Sequence, residues 1–432
     1  MFDFLKRLNS KAVTGATDTS IGDLFKIIQG DAAVKNYTAQ DLVKLNRGWV
    51  AICNNKNSLT IATTPLHLYY NNKFNKQIKL NAHKEVSKKD INFIHGTISD
   101  SEVKQSDNIV EILEHDFLTL IKNVNPEMNY VDMVSLIEQY LGILGNAYLH
   151  VVYGSEGSDG KPVELWPLLS ENCSVLIGSD GKVSGYKYVE NIIGSNGVES
   201  QKVITYKPEE IVHFKNYKTG STLYGIGELE QCLAAVERMN YYDLFESYLN
   251  KNFSRNDFVV SYRGKYTEKE LRDAYKQWAK KFGGIKNAGK PLITSGELDI
   301  KTLGYAPRDM EFKDGRSWGM SEIAAMFGVP ESLIKLNDAN RASSVTSTLQ
   351  YYKFTLVPKI RSLCEKLNEQ LLPKYDSNLF VWYSEKDFLT PEAMTYADIM
   401  KAVELGILGV DEARNVMGYE IKEEEENNEE QV

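Results

Sequence analysis

The stretch Val329–Gln350, VPESLIKLNDANRASSVTSTLQ, decides how this chain is interpreted, because it joins two predicted helices. The apolar helix SEIAAMFG (Ser321–Gly328) ends at it, and a longer helix begins within it. Between them, Lys335–Ser344 contains one leucine and two alanines and is otherwise polar or charged. Such a segment is unsuited to a core. What it does depends on where the rest of the chain places it.

The longer helix has the most regular apolar pattern in the sequence. Its apolar residues step by three or four, as on one face of a helix: Val345, Leu349, Tyr352, Leu356, Ile360, Leu363, Leu367 and Leu371. Pro358 lies in the middle and removes the hydrogen bond to the Phe354 carbonyl. We therefore predict a kink at Pro358.

The patterns before this stretch predict a mixture of helices and strands. Upstream we expect a helix at 41–62, a strand at 66–70, a charged loop or insertion at 71–106, helices at 111–126 and 130–146, and strands from 147 to 214 with a hairpin turn at Asp180-Gly181. A long helix at 226–253 precedes an α/β insert with a Thr267–Glu270 capping box, and 307–327 is helical again.

The composition limits the classes of function that fit. The chain has 432 residues, enough for more than one compact unit, and a formal net charge of −9. Tight DNA clamps are usually basic, so the charge excludes a clamp without excluding DNA as a passenger. We expect no membrane helix and no secretory signal. Cys53, Cys173, Cys232 and Cys364 form no CxxC pair, which argues against zinc and disulfides and fits a reducing, intracellular origin.

The motifs that could carry chemistry are weak. Gly284–Lys290 has the spacing of a phosphate-binding loop, but Pro291 replaces the metal-binding hydroxyl, and the predicted element order is reversed. A turn in the insert is the better interpretation. The six histidines lack metal-ligand spacing, and we interpret His150 and His213 as buried or half-buried structural groups. Acidic residues are plentiful, so a scattered metal-dependent nuclease site stays an alternative.

Eight stretches in a fixed order resemble tailed-bacteriophage portal proteins, the head-to-tail connectors of long-tailed phages. They are LGILGNAYLHVVYG (Leu141–Gly154), VELWPLL (Val163–Leu169), DGKVSGYKY (Asp180–Tyr188), EEIVHF (Glu209–Phe214), YGIGELE (Tyr224–Glu230), GMSEIAAMFGVPESLI (Gly319–Ile334), FTLVPKIRSLCEKLNEQLL (Phe354–Leu372) and LGILGVDEARNVMGYE (Leu405–Glu420). Each is weak alone, but their order is specific. The resemblance spans about 42–420; the first 40 residues, 71–106 and the acidic tail depart from it.

The resemblance implies an α+β portal fold that forms a ring of identical subunits, typically twelve, around a channel. An N-terminal arm (1–40) would precede an α/β wing (41–225), and two stem helices (226–253 and 307–327) would flank a small α/β clip (254–306). A tunnel-loop region (328–344), a kinked tunnel helix with a wing strand (345–387), a helical crown (388–420) and an acidic tail (421–432) would follow.

The resemblance also implies roles for particular residues. The tunnel loop would face DNA in the channel with Asn337, Asp338, Asn340, Arg341 and Ser343. The clip would face the terminase motor. Within it we select Lys265, Arg272, Lys286 and Lys290 as candidate contacts, and a solvated face explains these four charges equally well. Repeated around an axis, the mixed-charge loop would form a polar collar that binds DNA weakly and lets it slide. The kink at Pro358 would turn the helix toward the axis.

A portal protein of this kind is a structural conduit, with no catalysis and no cofactor. The expected partners are further copies of the chain, double-stranded DNA in transit, the terminase motor, major capsid and scaffold proteins, and a head–tail adaptor, with no membrane. It would assemble in the host cytoplasm and reside in the virion at the capsid portal vertex. The alternatives are a nucleotide-binding enzyme that uses Gly284–Lys290, and a capsid or tail adaptor in which Lys335–Ser344 is a surface loop that meets no DNA.

Overall fold

The computed structural model describes residues 37–72, 82–105, 108–154, 160–193, 199–216, 222–251, 258–262, 267, 269–270, 272–273, 276, 298–302, 312–334, 341–384, 396–406, 409–410 and 413–414. The helices are α1 (Ala39–Lys44), α2 (Trp49–Ala62), α3 (Lys88–Thr97), α4 (Ser101–Lys104), α5 (Asp116–Lys122), α6 (Tyr130–Leu144), α7 (Glu228–Gln231), α8 (Leu233–Lys251), α9 (Phe312–Met326), α10 (Arg341–Tyr351), α11 (Val357–Gln370) and α12 (Tyr396–Glu404). The strands are β1 (His67–Asn71), β2 (His83–Glu85), β3 (Ile109–Ile112), β4 (Asn146–Tyr153), β5 (Pro162–Leu168), β6 (Cys173–Ile177), β7 (Val183–Ile193), β8 (Glu199–Tyr206), β9 (Ile211–Lys215), β10 (Phe258–Tyr262), β11 (Leu298–Thr302) and β12 (Leu379–Trp382). In these ranges no helix has both the length and the hydrophobicity needed to cross a membrane.

The described strands pair in antiparallel sheets. Their orders are β12-β1-β3-β2, β5-β4-β9, β6-β7-β8 and β10-β11. In the first sheet His67 lies opposite Trp382, so a strand near the end of the chain completes a sheet begun near its start. Gly181, between β6 and β7, has φ +76°. This confirms the predicted hairpin, since the turn needs a residue that tolerates positive φ.

The main core lies between α2, α6, α11 and the sheet of β1 and β12. Trp382 and Tyr383 are 0 % exposed in it. Helix α6 starts at a capping box in which Asn129 Oδ1 accepts the N–H of Asp132 at 3.0 Å. It ends at Gly145, whose φ of +68° turns the chain at once into β4. The predicted passage from this helix directly into a strand is confirmed.

The predicted helix at 41–62 is divided in two. Helix α1 ends at Lys44, and α2 begins only at Trp49. Gly48 has φ +58°, a left-handed conformation that does not continue a right-handed helix. The apolar spacing of the segment passes through this break, so the periodicity alone did not reveal it.

The charged stretch 71–106 is more structured than predicted. We expected a loop or insertion, but its described residues include β2, α3 and α4. Ser87 and Asp100 cap the two helices through their side-chain oxygens. Ile94, Ile98 and Val103 are buried in the main core. The segment has few apolar residues among many charged ones, so its periodicity did not predict these helices. The few apolar residues are nevertheless enough to dock the segment on the core.

Two further predicted helices begin later than expected. The segment at 111–126 opens as strand β3, paired with β1, and becomes helical only at Asp116. His115 caps this helix, because its Nδ1 accepts the Phe117 N–H at 3.1 Å. The predicted helix at 226–253 starts at Glu228 and is interrupted at Cys232, between α7 and α8.

The insert keeps its predicted elements where it is described. β10 and β11 pair with Phe258 opposite Thr302. The capping box is present, since the Thr267 N–H donates to Glu270 Oε2 at 2.8 Å and the Glu270 N–H donates to Thr267 Oγ1 at 3.4 Å. The third predicted strand, 290–296, lies outside the described residues.

Candidate functional site

The longest helical segment, 341–370, follows the polar stretch with which the sequence analysis began. Its downstream half presents a continuous buried face on which no member is more than 3 % exposed: Leu356, Ile360, Leu363, Leu367 and, just after the helix, Leu371. The predicted apolar face is confirmed over this half. It packs against β12 and the main core.

A π-helical turn interrupts the segment at Tyr352–Leu356. The N–H of Val357 donates to the carbonyl of Tyr352, five residues back instead of four. Pro358 follows as the second residue of α11, where its missing N–H is tolerated because the turn before it has already left the α-helical bonding pattern. The bend of the helix axis at Pro358 stays a prediction.

One asparagine ties together the two helices that flank the polar stretch. Asn57 of α2 donates from Nδ2 to the Phe327 carbonyl at 2.8 Å, and its Oδ1 accepts from Tyr351 Oη at 2.6 Å. Thr355 Oγ1 adds a second link by donating to the Gly328 carbonyl at 2.8 Å. The chain therefore leaves this point after α9 and returns to it at the end of α10. The sequence analysis missed Asn57, which lies in a polar run where no local pattern distinguishes it.

A buried charge cluster anchors the start of α11. Lys359 Nζ lies 2.9 Å from Glu228 Oε1 of α7, and the two side chains are 19 % and 13 % exposed. Glu138 of α6 completes the cluster and is 3 % exposed. Burial raises the pKa of Glu138 to about 7, with Lys359 opposing the rise and Glu228 adding to it. Burial also works against the charge on Lys359, but the two carboxylates hold its pKa above the ordinary value.

Gly225 and Gly227, just before Glu228, form a tightly packed segment that we call the glycine platform. A Cβ atom at Gly227 would lie 2.2 Å from the Ile143 carbonyl oxygen, and one at Gly225 would lie 2.1 Å from the Gly145 carbonyl oxygen. The Gly225 N–H donates to Asn146 Oδ1 at 2.8 Å. The start of α7 is therefore pressed against the end of α6, with room for glycine only.

Helices α8 and α9 form an antiparallel pair. Arg238 of α8 pairs with Glu322 of α9, and Arg316 of α9 pairs with Asp243 and, at 2.6 Å, with Glu246 of α8. Positions rise along one helix as they fall along the other, which establishes the antiparallel direction. These ion pairs are partly exposed, so each contributes little to stability and mainly fixes the register.

The predicted tunnel-loop residues are only partly described. Arg341 and Ser343 lie in the first turn of α10, so this helix begins four residues earlier than predicted. Asn337, Asp338 and Asn340 lie outside the described residues. The structure thus does not show these five residues together.

Of the four predicted clip residues, the structure describes one. Arg272 is described and exposed, whereas Lys265, Lys286 and Lys290 lie outside the described residues, as does the glycine-rich stretch 284–290. Among the residues with described positions, no group of three His, Cys, Asp or Glu side chains is arranged to hold a metal ion.

The histidines and cysteines in the described core are packing groups. His213 is 2 % exposed and stacks on Tyr148 with ring centroids 4.2 Å apart. Burial lowers the pKa of His213 to about 2. This confirms the predicted buried character of His213, and His150 is half-buried. Three of the four free cysteines are buried, and the fourth, Cys173, is half-buried.

Comparison with known proteins supports one family. The model of the family described as "Phage portal protein" matches residues 49–418. The chain is 24 % identical over 324 residues to the portal protein of Enterobacteria phage HK97, covering 72 % of each. It is 25 % identical over 291 residues to an uncharacterized protein of Rickettsia bellii (strain RML369-C), covering 64 % of this chain and 72 % of that one.

Solved structures show the same fold. A chain from the neck of a native GTA particle, computed with C12 symmetry, superposes with a TM-score of 0.55 at 20 % identity, covering 90 % of this chain and 96 % of that one. A chain from the virion of the native gene transfer agent particle gives 0.54 at 21 % identity, covering 88 % and 94 %. Because the family model covers most of the sequence, the chain belongs to the phage portal protein family.

Proposed function

We propose that this portal protein forms a ring-shaped channel at a capsid vertex, through which double-stranded DNA is packaged and later ejected. The observation that carries the proposal is the tether at Asn57. Since Phe327 and Tyr351 both bond to this side chain, the chain leaves one fixed point after α9 and returns to it at the end of α10, and the polar segment lies within this excursion. An excursion held at both ends is what a channel lining requires.

The stem pair offers a surface for neighbouring subunits. On α8 and α9 the side chains of Trp318, Tyr241 and Leu244 are 71 %, 67 % and 54 % exposed. Large exposed aromatic and aliphatic side chains mark interaction surfaces, and identical subunits in a closed ring would cover them. A chain of the same fold in a particle neck computed with C12 symmetry supports a ring of twelve.

The remaining parts follow the family plan. Residues 41–225 would form the wing, α8 and α9 the stem, 254–306 the clip, 341–370 the tunnel helix and 388–420 the crown. The clip would dock the terminase motor through Lys265, Arg272, Lys286 and Lys290. Other faces would meet capsid and scaffold proteins and, later, the head–tail adaptor. Assembly would occur in the host cytoplasm.

The channel would conduct DNA without gripping it. The chain carries a net charge of −9, and a ring of acidic subunits repels the DNA backbone. Asn337, Asp338, Asn340 and Arg341 would supply a collar of mixed charge and low affinity. The family match supports this role and supports neither a nucleotide-binding enzyme nor a non-conducting adaptor.

Removing the loop tests the proposal. Deletion of 336–340 leaves α10 whole and should give rings and particles of normal appearance in negative stain, with much less packaged DNA. Deletion of 194–198, five residues between β7 and β8, is the matched control and should package normally. Protein that stays monomeric under every condition, together with full particles made without it, would refute the channel.

A further inference from the structure

The helix upstream of the π-helical turn offers two neighbouring tyrosines, Tyr351 and Tyr352, for one buried place. Leu349 and Tyr352 continue the buried face of Leu356 and Ile360 with the spacing of an uninterrupted α-helix. In the structure Leu349 is 42 % exposed and Tyr352 is half-buried. Tyr351, one position earlier, takes the buried place instead and is 4 % exposed.

The π-helical turn produces this offset. Along the buried face, five residues separate Tyr351 from Leu356, where an α-helix would place four. If Tyr352–Leu356 became α-helical, the helix before it would rotate by one residue, about 100°. Tyr352 would then reach the position of Tyr351 beside Asn57. Leu349, which is 42 % exposed, would move to the half-buried place that Thr348 now occupies.

The helix after the turn cannot rotate with it. Its buried face is embedded in the core, and Lys359 is held by Glu228 on the glycine platform. Rotation is therefore confined to α10. Upstream, the Tyr351 hydroxyl bonded to Asn57 holds the observed register, and within the turn Thr355 Oγ1 bonded to the Gly328 carbonyl supports it.

We infer that Tyr352–Leu356 is a register switch. Its π form docks Tyr351 on Asn57, and its α form docks Tyr352 there, turning α10 by about 100° while α11 stays fixed. The evidence for the switch comes from the contacts and burial of this helix and does not depend on the proposed function. Its consequence, a change in how the tunnel loop faces the channel, rests on the proposed function.

Cysteine labelling of the purified full-length protein tests the switch. In a Cys173→Ser background, Leu349→Cys reports the rotation, and Gln350→Cys, exposed in both registers, is its matched control. Tyr351→Ala removes the side chain that holds the π form. It should slow maleimide labelling of Leu349→Cys by roughly threefold, because residue 349 moves from an exposed to a half-buried place, and leave Gln350→Cys unchanged. Tyr352→Ala should slow neither.

A deletion that locks the helix provides the second arm. Lys353 is exposed and lies between Tyr351 and Leu356. Its removal brings these two residues four positions apart, so an uninterrupted α-helix now buries both Tyr351 and Leu356. In this background Tyr351→Ala should no longer protect Leu349→Cys. In protein that keeps Lys353, equal labelling of Leu349→Cys with and without Tyr351→Ala overturns the switch. If Tyr351→Ala unfolds the helix, Tyr351→Phe replaces it in the same labelling experiment, because it removes only the hydroxyl that bonds to Asn57. Free protein is labelled, so the outcome is independent of whether the ring conducts DNA.

Discussion

Replacement of Glu138 by glutamine should make the protein more stable above neutral pH and leave its stability near pH 4.5 unchanged. Glu138 is 3 % exposed, and its pKa rises from the ordinary 4.5 to about 7 on folding. The native state thus disfavours the charged carboxylate. The stability that the protonated group provides is complete below about pH 4.5 and is lost as the pH rises through about 7.

The size of the effect follows from the shift. The difference between 4.5 and about 7 corresponds to roughly 3 kcal/mol of unfolding free energy at most. Glutamine keeps the shape of the protonated acid and never ionises, so the variant should gain up to this amount above about pH 8. Lys359 retains Glu228 as its ion-pair partner.

Urea unfolding between about pH 4.5 and pH 8, followed by tryptophan fluorescence, measures the effect. The Glu138→Gln curve should exceed the native curve increasingly as the pH rises. Glu209→Gln, at an exposed position, is the control and should follow the native curve. A constant difference between Glu138→Gln and native protein across this range would show that Glu138 does not change its protonation on folding, and the reasoning would fail.

Three other substitutions test neighbouring parts of the same framework. Lys359→Met leaves two buried carboxylates without their cation and should lower the unfolding free energy by roughly 3–5 kcal/mol in urea titrations; no loss would mean that the cluster is hydrated. Gly227→Ala places a Cβ 2.2 Å from the Ile143 carbonyl oxygen and should lower the melting temperature by several degrees, a result that an unchanged melting curve would contradict. His213→Gln should reduce the loss of stability on acidification below about pH 6.5, because the native histidine resists protonation down to about pH 2; an unaltered acid transition would disprove this.

Much of the fold could be predicted because it depends on local signals. The passage from α6 into β4 follows from an asparagine cap, an apolar face and a terminal glycine, all close together in the sequence. The Asp180-Gly181 turn and the Thr267 capping box are equally local. The ordered segments of the portal family likewise led from sequence to the correct family.

The candidate site was harder to predict because its parts come from distant positions. Lys359 and Glu228 are 131 residues apart, and Glu138 lies in a third helix. Asn57 meets Tyr351 across 294 residues. Each of these residues is unremarkable in its own neighbourhood, since a charge or an amide on a helix usually faces water. Only the packing of the helices removes water and leaves them to pair with one another.

The sequence by itself determined the buried face of α11, where several helices start and stop, and the family to which the chain belongs. These properties follow from side-chain periodicity and capping, which act over one or two turns. The tertiary structure alone decided that 82–105 docks on the core, that α1 and α2 are separate, and that Tyr351 instead of Tyr352 is buried. The burial of Tyr351 instead of Tyr352 shows most clearly why the sequence was not enough. The apolar spacing permits either tyrosine, and the contact with Asn57, together with the fixed position of α11, selects one of them.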